Sequence, residues 1–160
     1  MAALVARRVL TLAAALAAAV TIGGQAKAAT LTRSEFSLLK VMNEVRVSHG
    51  LAPLRLDPRL QRAARSHSST MLRTDRFFHG AFTARIRRVG VRAPRVGENL
   101  AWGVGVLARA RAVVNVWLAS PAHRENLLHA GYRTVGVGAR RGHFDGYSSA
   151  LVITTDFAGR

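Results

Sequence analysis

His79, Glu98 and His123 are the residues whose types could do chemistry in this chain, and each stands in a short distinctive string. The strings are Phe77-Phe78-His79-Gly80, Gly97-Glu98-Asn99-Leu100-Ala101, and Trp117-Leu118-Ala119-Ser120-Pro121-Ala122-His123-Arg124-Glu125-Asn126-Leu127-Leu128. Two imidazoles and a carboxylate are the donor set of a divalent-metal site or of an acid/base site. Ser120-Pro121 reads as the N-cap and first-turn proline of a helix, which puts His123 in the first turn. The positive end of the helix dipole there disfavours imidazolium and favours the neutral ring that binds metal or accepts a proton. A carboxylate such as Glu98, beside an apolar segment, must be paired, hydrogen-bonded or exposed. Each residue also has a plain structural reading. His123 then bonds a nearby loop, Glu98 pins a turn through backbone N–H groups, and His79 is a loop histidine with no task, where the functional reading has the two phenylalanines form an aromatic wall that holds its ring at a cleft edge.

The elements that must position these residues follow from periodicity. Thr32-Arg33-Ser34-Glu35 is a capping box that opens a helix with Leu38, Met42 and Val45 on its apolar stripe. Gly50 stops that helix. Leu54 and Leu56 alternate in a short extended link. Asp57-Pro58 opens a second helix, whose buried stripe is Leu60, Ala64, His67 and Met71. Ile86, Val89 and Val91, among arginines, form a short helix or turn. Gly97 to Gly105 reads as a turn leading into a strand or extended segment. A helix follows over about 107–119, then a short one from Pro121 to near Gly131. Thr134–Ala139 and Ala150–Phe157 read as strands, with the chain turning over Arg141–Gly146. Helices followed by a late hairpin predict an α+β domain with an antiparallel sheet.

The first 28 residues read as an export signal. Arg7 and Arg8 form a basic n-region, Val9–Ile22 is a short alanine-rich apolar run, and Ala26-Lys27-Ala28 is the small-x-small pattern of a cleavage site. A retained anchor is the alternative, and the paired arginines leave Sec and twin-arginine export both open. Cleavage before Ala29 leaves one domain, residues 29–160, with no transmembrane span in the mature chain. Without Arg7, Arg8 and Lys27, the 24 cationic side chains fall to 21 against eight acids, a net charge of +13. Such a field suits anionic wall polymers or lipid head groups. The absence of alternating aromatics and arginines, together with export, argues against nucleic acid. There are no cysteines, so the fold stands on its core alone.

The three strings, with Asn43-Glu44-Val45-Arg46-Val47-Ser48-His49-Gly50 upstream, resemble the CAP superfamily: cysteine-rich secretory proteins, antigen 5 and pathogenesis-related 1 proteins, also called SCP/PR-1-like. The resemblance is to its short, cysteine-free bacterial branch and runs from about residue 35 to Phe157, with Leu54, Leu60, Ala64 and Met71 at matching places. It implies a secreted, extracellular or envelope protein with a three-layer α-β-α sandwich, a central antiparallel sheet and a surface cleft. The family's cleft carries two histidines and two acids. His79, Glu98 and His123 match three of them. The second acid usually stands three residues after the tryptophan matching Trp117, and here that place is Ser120. The implied metal set is therefore His79, His123 and Glu98, with zinc as the natural ion. Asn99 and Ser120 complete the expected cleft.

Three functions follow as expectations. The first is a CAP-domain binding protein, not an enzyme, holding a divalent metal, a lipid or an envelope ligand in the His/Glu cleft. The second is a metal-dependent, peptidase-like hydrolase of peptide or wall substrates, with Glu98 and His123 as catalytic candidates. The third is a cationic envelope- or nucleic-acid-binding protein acting through Arg85, Arg87, Arg88, Arg92, Arg95 and Arg140-Arg141. Among the remaining residues, His67 reads as a hydrogen-bonded core histidine and Trp117 as core. Asn43 and Arg46 read as fixing helix packing and a surface ion pair. Asn99 and Asn126 read as bonding backbone near the cleft. Ser120 is an N-cap and no nucleophile.

Overall fold

A computed structural model describes residues 30–160, so the export-signal reading of residues 1–28 lies outside the described residues. The first helix, α1 (Arg33–Ser48), begins at the predicted capping box. Glu35 N–H donates to Thr32 Oγ1 at 3.3 Å, and Thr32 N–H donates back to Glu35 Oε2 at 2.9 Å. Gly50, at φ +72, lets the chain leave, and Leu51 N–H closes the end on the Arg46 carbonyl. Strand β1 (Arg55–Leu56) is the predicted extended link. Helix α2 (Pro58–Thr74) starts on Asp57, whose carboxylate accepts from the N–H groups of Arg59 and Leu60. A short α3 (Phe82–Arg88) leads to β2 (Arg95–Gly103). A 3₁₀ turn (Gly105–Ala108) precedes α4 (Ala110–Ala119) and α5 (Pro121–Leu128). The long hairpin β3 (Tyr132–Phe144) and β4 (Tyr147–Gly159) closes the domain.

The sheet order is β1-β3-β4-β2, antiparallel except for the parallel pair β1–β3. The central sheet is thus antiparallel as expected, with one short parallel strand added at its edge. Helices α1, α4 and α5 cover one face, where Leu38, Met42, Val114 and Trp117 pack against Val135, Val137, Ile153 and Phe157. Helix α2 covers the other face, with α3 beside it. The result is the three-layer α-β-α sandwich.

Two expectations are corrected by the sheet. The segment Gly97–Gly103 is not a turn: it forms most of β2 and pairs residue for residue with β4, Glu98 opposite Asp156. Arg46 makes no surface ion pair. It is fully buried, and its guanidinium donates to the carbonyls of Ala52, Leu127, His129 and Tyr132, tying α1 to the end of α5 and the start of β3. Asn43 does lock packing, exchanging two hydrogen bonds with the backbone of Leu54.

Candidate functional site

β2 is an edge strand, and the sequence-predicted residues gather along it from both helical layers. Glu98 projects from β2 onto the α2 side of the sheet, because it pairs directly with Asp156, and residues opposite one another in an antiparallel pair share a face. His79 arrives from the loop between α2 and α3. Its Nδ1–H donates to Glu98 Oε1 at 2.7 Å. That bond fixes the tautomer and leaves Nε2 as the acceptor. The imidazole is 58% exposed while the carboxyl is 2% exposed, so a buried acid holds a solvent-facing ring. The ring is not held by an aromatic wall: Phe78 packs edge-on against His67, and Phe77 against Phe144.

Arg85 of α3 takes the other oxygen of Glu98, Oε2, and lies 3.6 Å from Asp156 Oδ1. Asp156 is completely buried, and neither of its oxygens has a hydrogen-bond donor among the described residues. Two buried carboxyls thus face a single guanidinium. As two carboxylates they would carry an uncompensated charge and present only acceptors to each other. One proton held between them turns the contact into a hydrogen bond and makes the trio neutral. Burial pushes Glu98 up to about 7, against the opposing pull of Arg85. Burial, and then the Glu98 charge, push Asp156 well above the usual carboxylate range. Arg85, read in the sequence only as one of a cationic cluster, serves Glu98, and Asp156 is the member of this site that sequence reading missed. The available signal was an acid breaking the run Leu151-Val152-Ile153-Thr154-Thr155, at a place where alternation points it inward.

His123 stands apart from this cluster. It occupies the first turn of α5 as predicted, and its Nδ1 shares a hydrogen bond with Ser120 Oγ at 2.9 Å. Ser120 is the N-cap residue by position, yet its hydroxyl makes no capping bond and serves the imidazole instead. Burial, and then the nearby His79, hold His123 below its ordinary value, which favours the neutral ring. Asn99 and Asn126 stitch α5 to β2. Asn99 Nδ2 donates to the His123 carbonyl, and Asn126 Nδ2 donates to the Glu98 carbonyl and to Asn99 Oδ1. Glu125 is exposed on another face of α5. His67 is the buried histidine expected, bonded through Nε2 to the Phe78 carbonyl, and burial lowers it to about 4.

The site opens on a groove of about 680 Å³ lined by His79, Phe82, Thr83, Arg87, Glu98 and Asn126, among others. For a divalent ion, the group the CAP resemblance implies, the three donors His79, Glu98 and His123 are not free as a set. Both Glu98 oxygens are taken by His79 and Arg85. The Arg85 guanidinium already neutralises that carboxylate, and His79 and His123 are each bonded through Nδ1, to Glu98 and to Ser120, which leaves the two Nε2 atoms outside these bonds. Among the described residues, no three His, Asp or Glu side chains are grouped to hold a metal.

Known proteins share this fold. A model of the cysteine-rich secretory protein family, CAP, matches residues 39–157. The chain is 34% identical over 118 residues to an uncharacterised membrane protein of Bacillus subtilis, YlbC, a match covering 71% of this chain and 33% of that protein. It is 30% identical over 109 residues to the uncharacterised Bacillus subtilis protein YkwD, covering 65% and 41%. The chain thus spans well under half the length of the curated relatives it matches. Among solved structures, an extracellular SCP-domain protein of Bacillus anthracis superposes with a TM-score of 0.67 at 26% identity, covering 82% of this chain and 45% of that one. With the fold, the edge-strand site and these likenesses in agreement, the chain belongs to the CAP, or cysteine-rich secretory protein, family.

Proposed function

We propose that this chain is an extracellular binding protein, without turnover, whose His79 groove takes an anionic component of the cell envelope. The observation that carries the reading is the way His79 is mounted. A buried carboxyl grips Nδ1, and the exposed edge of the ring, with Nε2, faces a groove that Arg87 flanks. The Arg87 guanidinium at that groove, beside a ring held in one orientation, suits an anionic group. The charge of +13 over residues 29–160 supports the same ligand class. The Bacillus anthracis relative is an extracellular protein, and no helix among the described residues is long and apolar enough to cross a membrane.

Metal-dependent hydrolysis at the same residues would require Glu98 to ligate an ion or to take a proton from water. Its two oxygens are already engaged, which weighs against that reading. The test is to follow the His79 ring resonances by NMR while titrating glycerol 3-phosphate. A saturable shift at His79, absent in the distant His143, is the expected result. Uniform or absent shifts would sink the proposal.

A further inference from the structure

The His79 groove does not end at His79. Its wall residues Thr83, Arg87 and Val96 also line a second groove of about 500 Å³, floored by Ile86, Val91, Ala93 and Pro94. Val91, Arg92 and Ala93 of that second groove line a third, of about 470 Å³, which crosses the end of the sheet past Arg55, Arg59, Arg133 and Arg160. Shared walls make the three one furrow. It descends β2 from the register of Glu98 to that of Arg95, about 10 Å, then crosses from the β2 side toward β1, about three strand spacings or roughly 14 Å.

The charge along this furrow is one-sided. Arg55, Arg87, Arg92, Arg133 and Arg160 are exposed, and none forms an ion pair with an acidic side chain among the described residues. They come from five separate segments: β1, α3, the α3–β2 loop, the start of β3, and the end of the chain. The acidic side chain in the third groove, Asp57, is consumed by Arg59, which donates to both its oxygens, and by the start of α2. Outside the furrow some cations are used, while others, such as Arg62, Arg73 and Arg124, are exposed and likewise without an acidic partner among the described residues. Arg85 serves Glu98, Arg65 and Arg140 serve Glu35, and Arg111 serves Glu44.

We propose that the furrow seats a linear polyol-phosphate polymer, which enters at His79 and lies across Arg87 and Arg92 to the arginines at the far end of the sheet. This rests on the reading of the His79 groove as a binding site and names its ligand class. Guanidinium forks match phosphate oxygens in geometry. Several cations placed one after another along the furrow suit a polymer that carries many anionic groups, and the aliphatic lining of Val91, Ala93, Pro94 and Val96 suits short carbon linkers between phosphates. A carboxylated polysaccharide fits less well, because its many hydroxyls need acceptors and the Asp57 carboxylate is already filled. Nucleic acid fits less well because the second and third grooves offer no aromatic ring on which a base could stack.

The experiment compares synthetic poly(glycerol phosphate) of two, six and twelve repeats with polygalacturonate and single-stranded DNA of equal charge. It uses the wild-type protein, Arg92→Ala/Arg133→Ala and His79→Ala, each checked for folding by circular dichroism. The expected result is affinity that rises with repeat number and exceeds that for either other polymer at least tenfold. The arginine double variant then loses at least tenfold, and its salt slope falls by about 1.4, the contribution of two phosphate contacts to a flexible strand. His79→Ala loses less, and loses it for every length. Equal or tighter binding of DNA or polygalacturonate overturns the proposal. So does full binding by the arginine double variant. If that variant binds fully while His79→Ala is impaired, the furrow falls and the His79 groove stands. If His79→Ala binds fully while the arginine variant is impaired, the His79 reading falls, and the continuous track falls with it.

Discussion

Glu98 and Asp156 stand opposite each other on neighbouring strands with one guanidinium between them, and this sets the pH behaviour of the fold. A carboxyl whose folded pKa is raised holds its proton more tightly when folded than when unfolded. Stability is therefore full below the unfolded value near 4.5 and falls as pH rises through about 7. His67 acts in the opposite sense. Its folded value of about 4 lies below 6.5, so it costs stability as pH falls through that window. Asp156→Asn isolates the first effect by leaving Glu98 to ionise beside Arg85 with an amide neighbour. The variant is expected to match the wild type at pH 4 and exceed it by on the order of 1–2 kcal/mol at pH 8, read as thermal midpoints across that range. A constant offset at every pH would remove the shared proton from the account. Zinc offers a second test at this scale. Calorimetric titration of the wild type is expected to match that of His79→Ala/His123→Ala, with no saturable one-to-one site in either. A site lost in the double variant would show that the two imidazoles hold an ion although Glu98 is engaged. His79, Glu98 and His123 were legible as candidates because each sits in a distinctive string. Their pairing was not. Asp156 lies 58 positions beyond Glu98, and only strand register brings the two together.

At the scale of elements, the site depends on how closely α2 lies on the sheet. A Cβ at Gly136 would sit 2.0 Å from the carbonyl carbon of Leu60, and one at Gly138 2.3 Å from the Ala64 carbonyl oxygen. Both neighbours are helix backbone, which has no rotamer to yield. Gly136 pairs with Asp156, so any lift of α2 there also disturbs the carboxyl pair. Gly136→Ala is expected to destabilise by about 3 kcal/mol or more. Gly142→Ala, where the new methyl would meet the Leu72 side chain at 3.4 Å, is expected to cost under ~1 kcal/mol. Equal effects in urea unfolding would mean that the close approach does not control stability. Local signals predicted the helices well. The capping box at Thr32, the Asp57-Pro58 start and the stripe from Leu60 to Met71 are all as read. The strands were harder. β2 contains Gly97, Gly103 and the polar pair Glu98-Asn99, and β3 contains Gly136, Gly138 and Gly142, all poor strand formers. Pairing with β4 makes them strands, and that is a long-range term which no window of sequence contains. Arg46 was misjudged for a related reason: its four carbonyl partners lie between 6 and 86 positions away.

At the scale of the whole molecule, the excess of arginine has two consequences of opposite sign in salt. Several acids are already committed to cations, with Glu35 holding both Arg65 and Arg140, so most of the positive charge has no internal counterweight. Like charges on a compact domain repel, and the repulsion is relieved by unfolding. Screening should therefore stabilise the fold. Raising sodium chloride from 10 mM to 300 mM shortens the Debye length from roughly 30 Å to under 10 Å, which brings it well inside the width of the domain. The expected gain is on the order of 1 kcal/mol, or roughly 4 °C in thermal midpoint for a domain of this size. The same salt should weaken binding to an extended polyanion, because each bound phosphate releases counterions that must then enter a more concentrated solution. The two slopes separate a general field from a built furrow. Neutralising Arg73 and Arg76, exposed near the end of α2 and away from the furrow, lowers the net charge by as much as neutralising Arg92 and Arg133. Both pairs should therefore ease the salt dependence of stability alike. Only the second should reduce the salt slope of binding. If both pairs reduced it equally, charge alone would account for anion affinity, and the arrangement of the arginines would count for nothing.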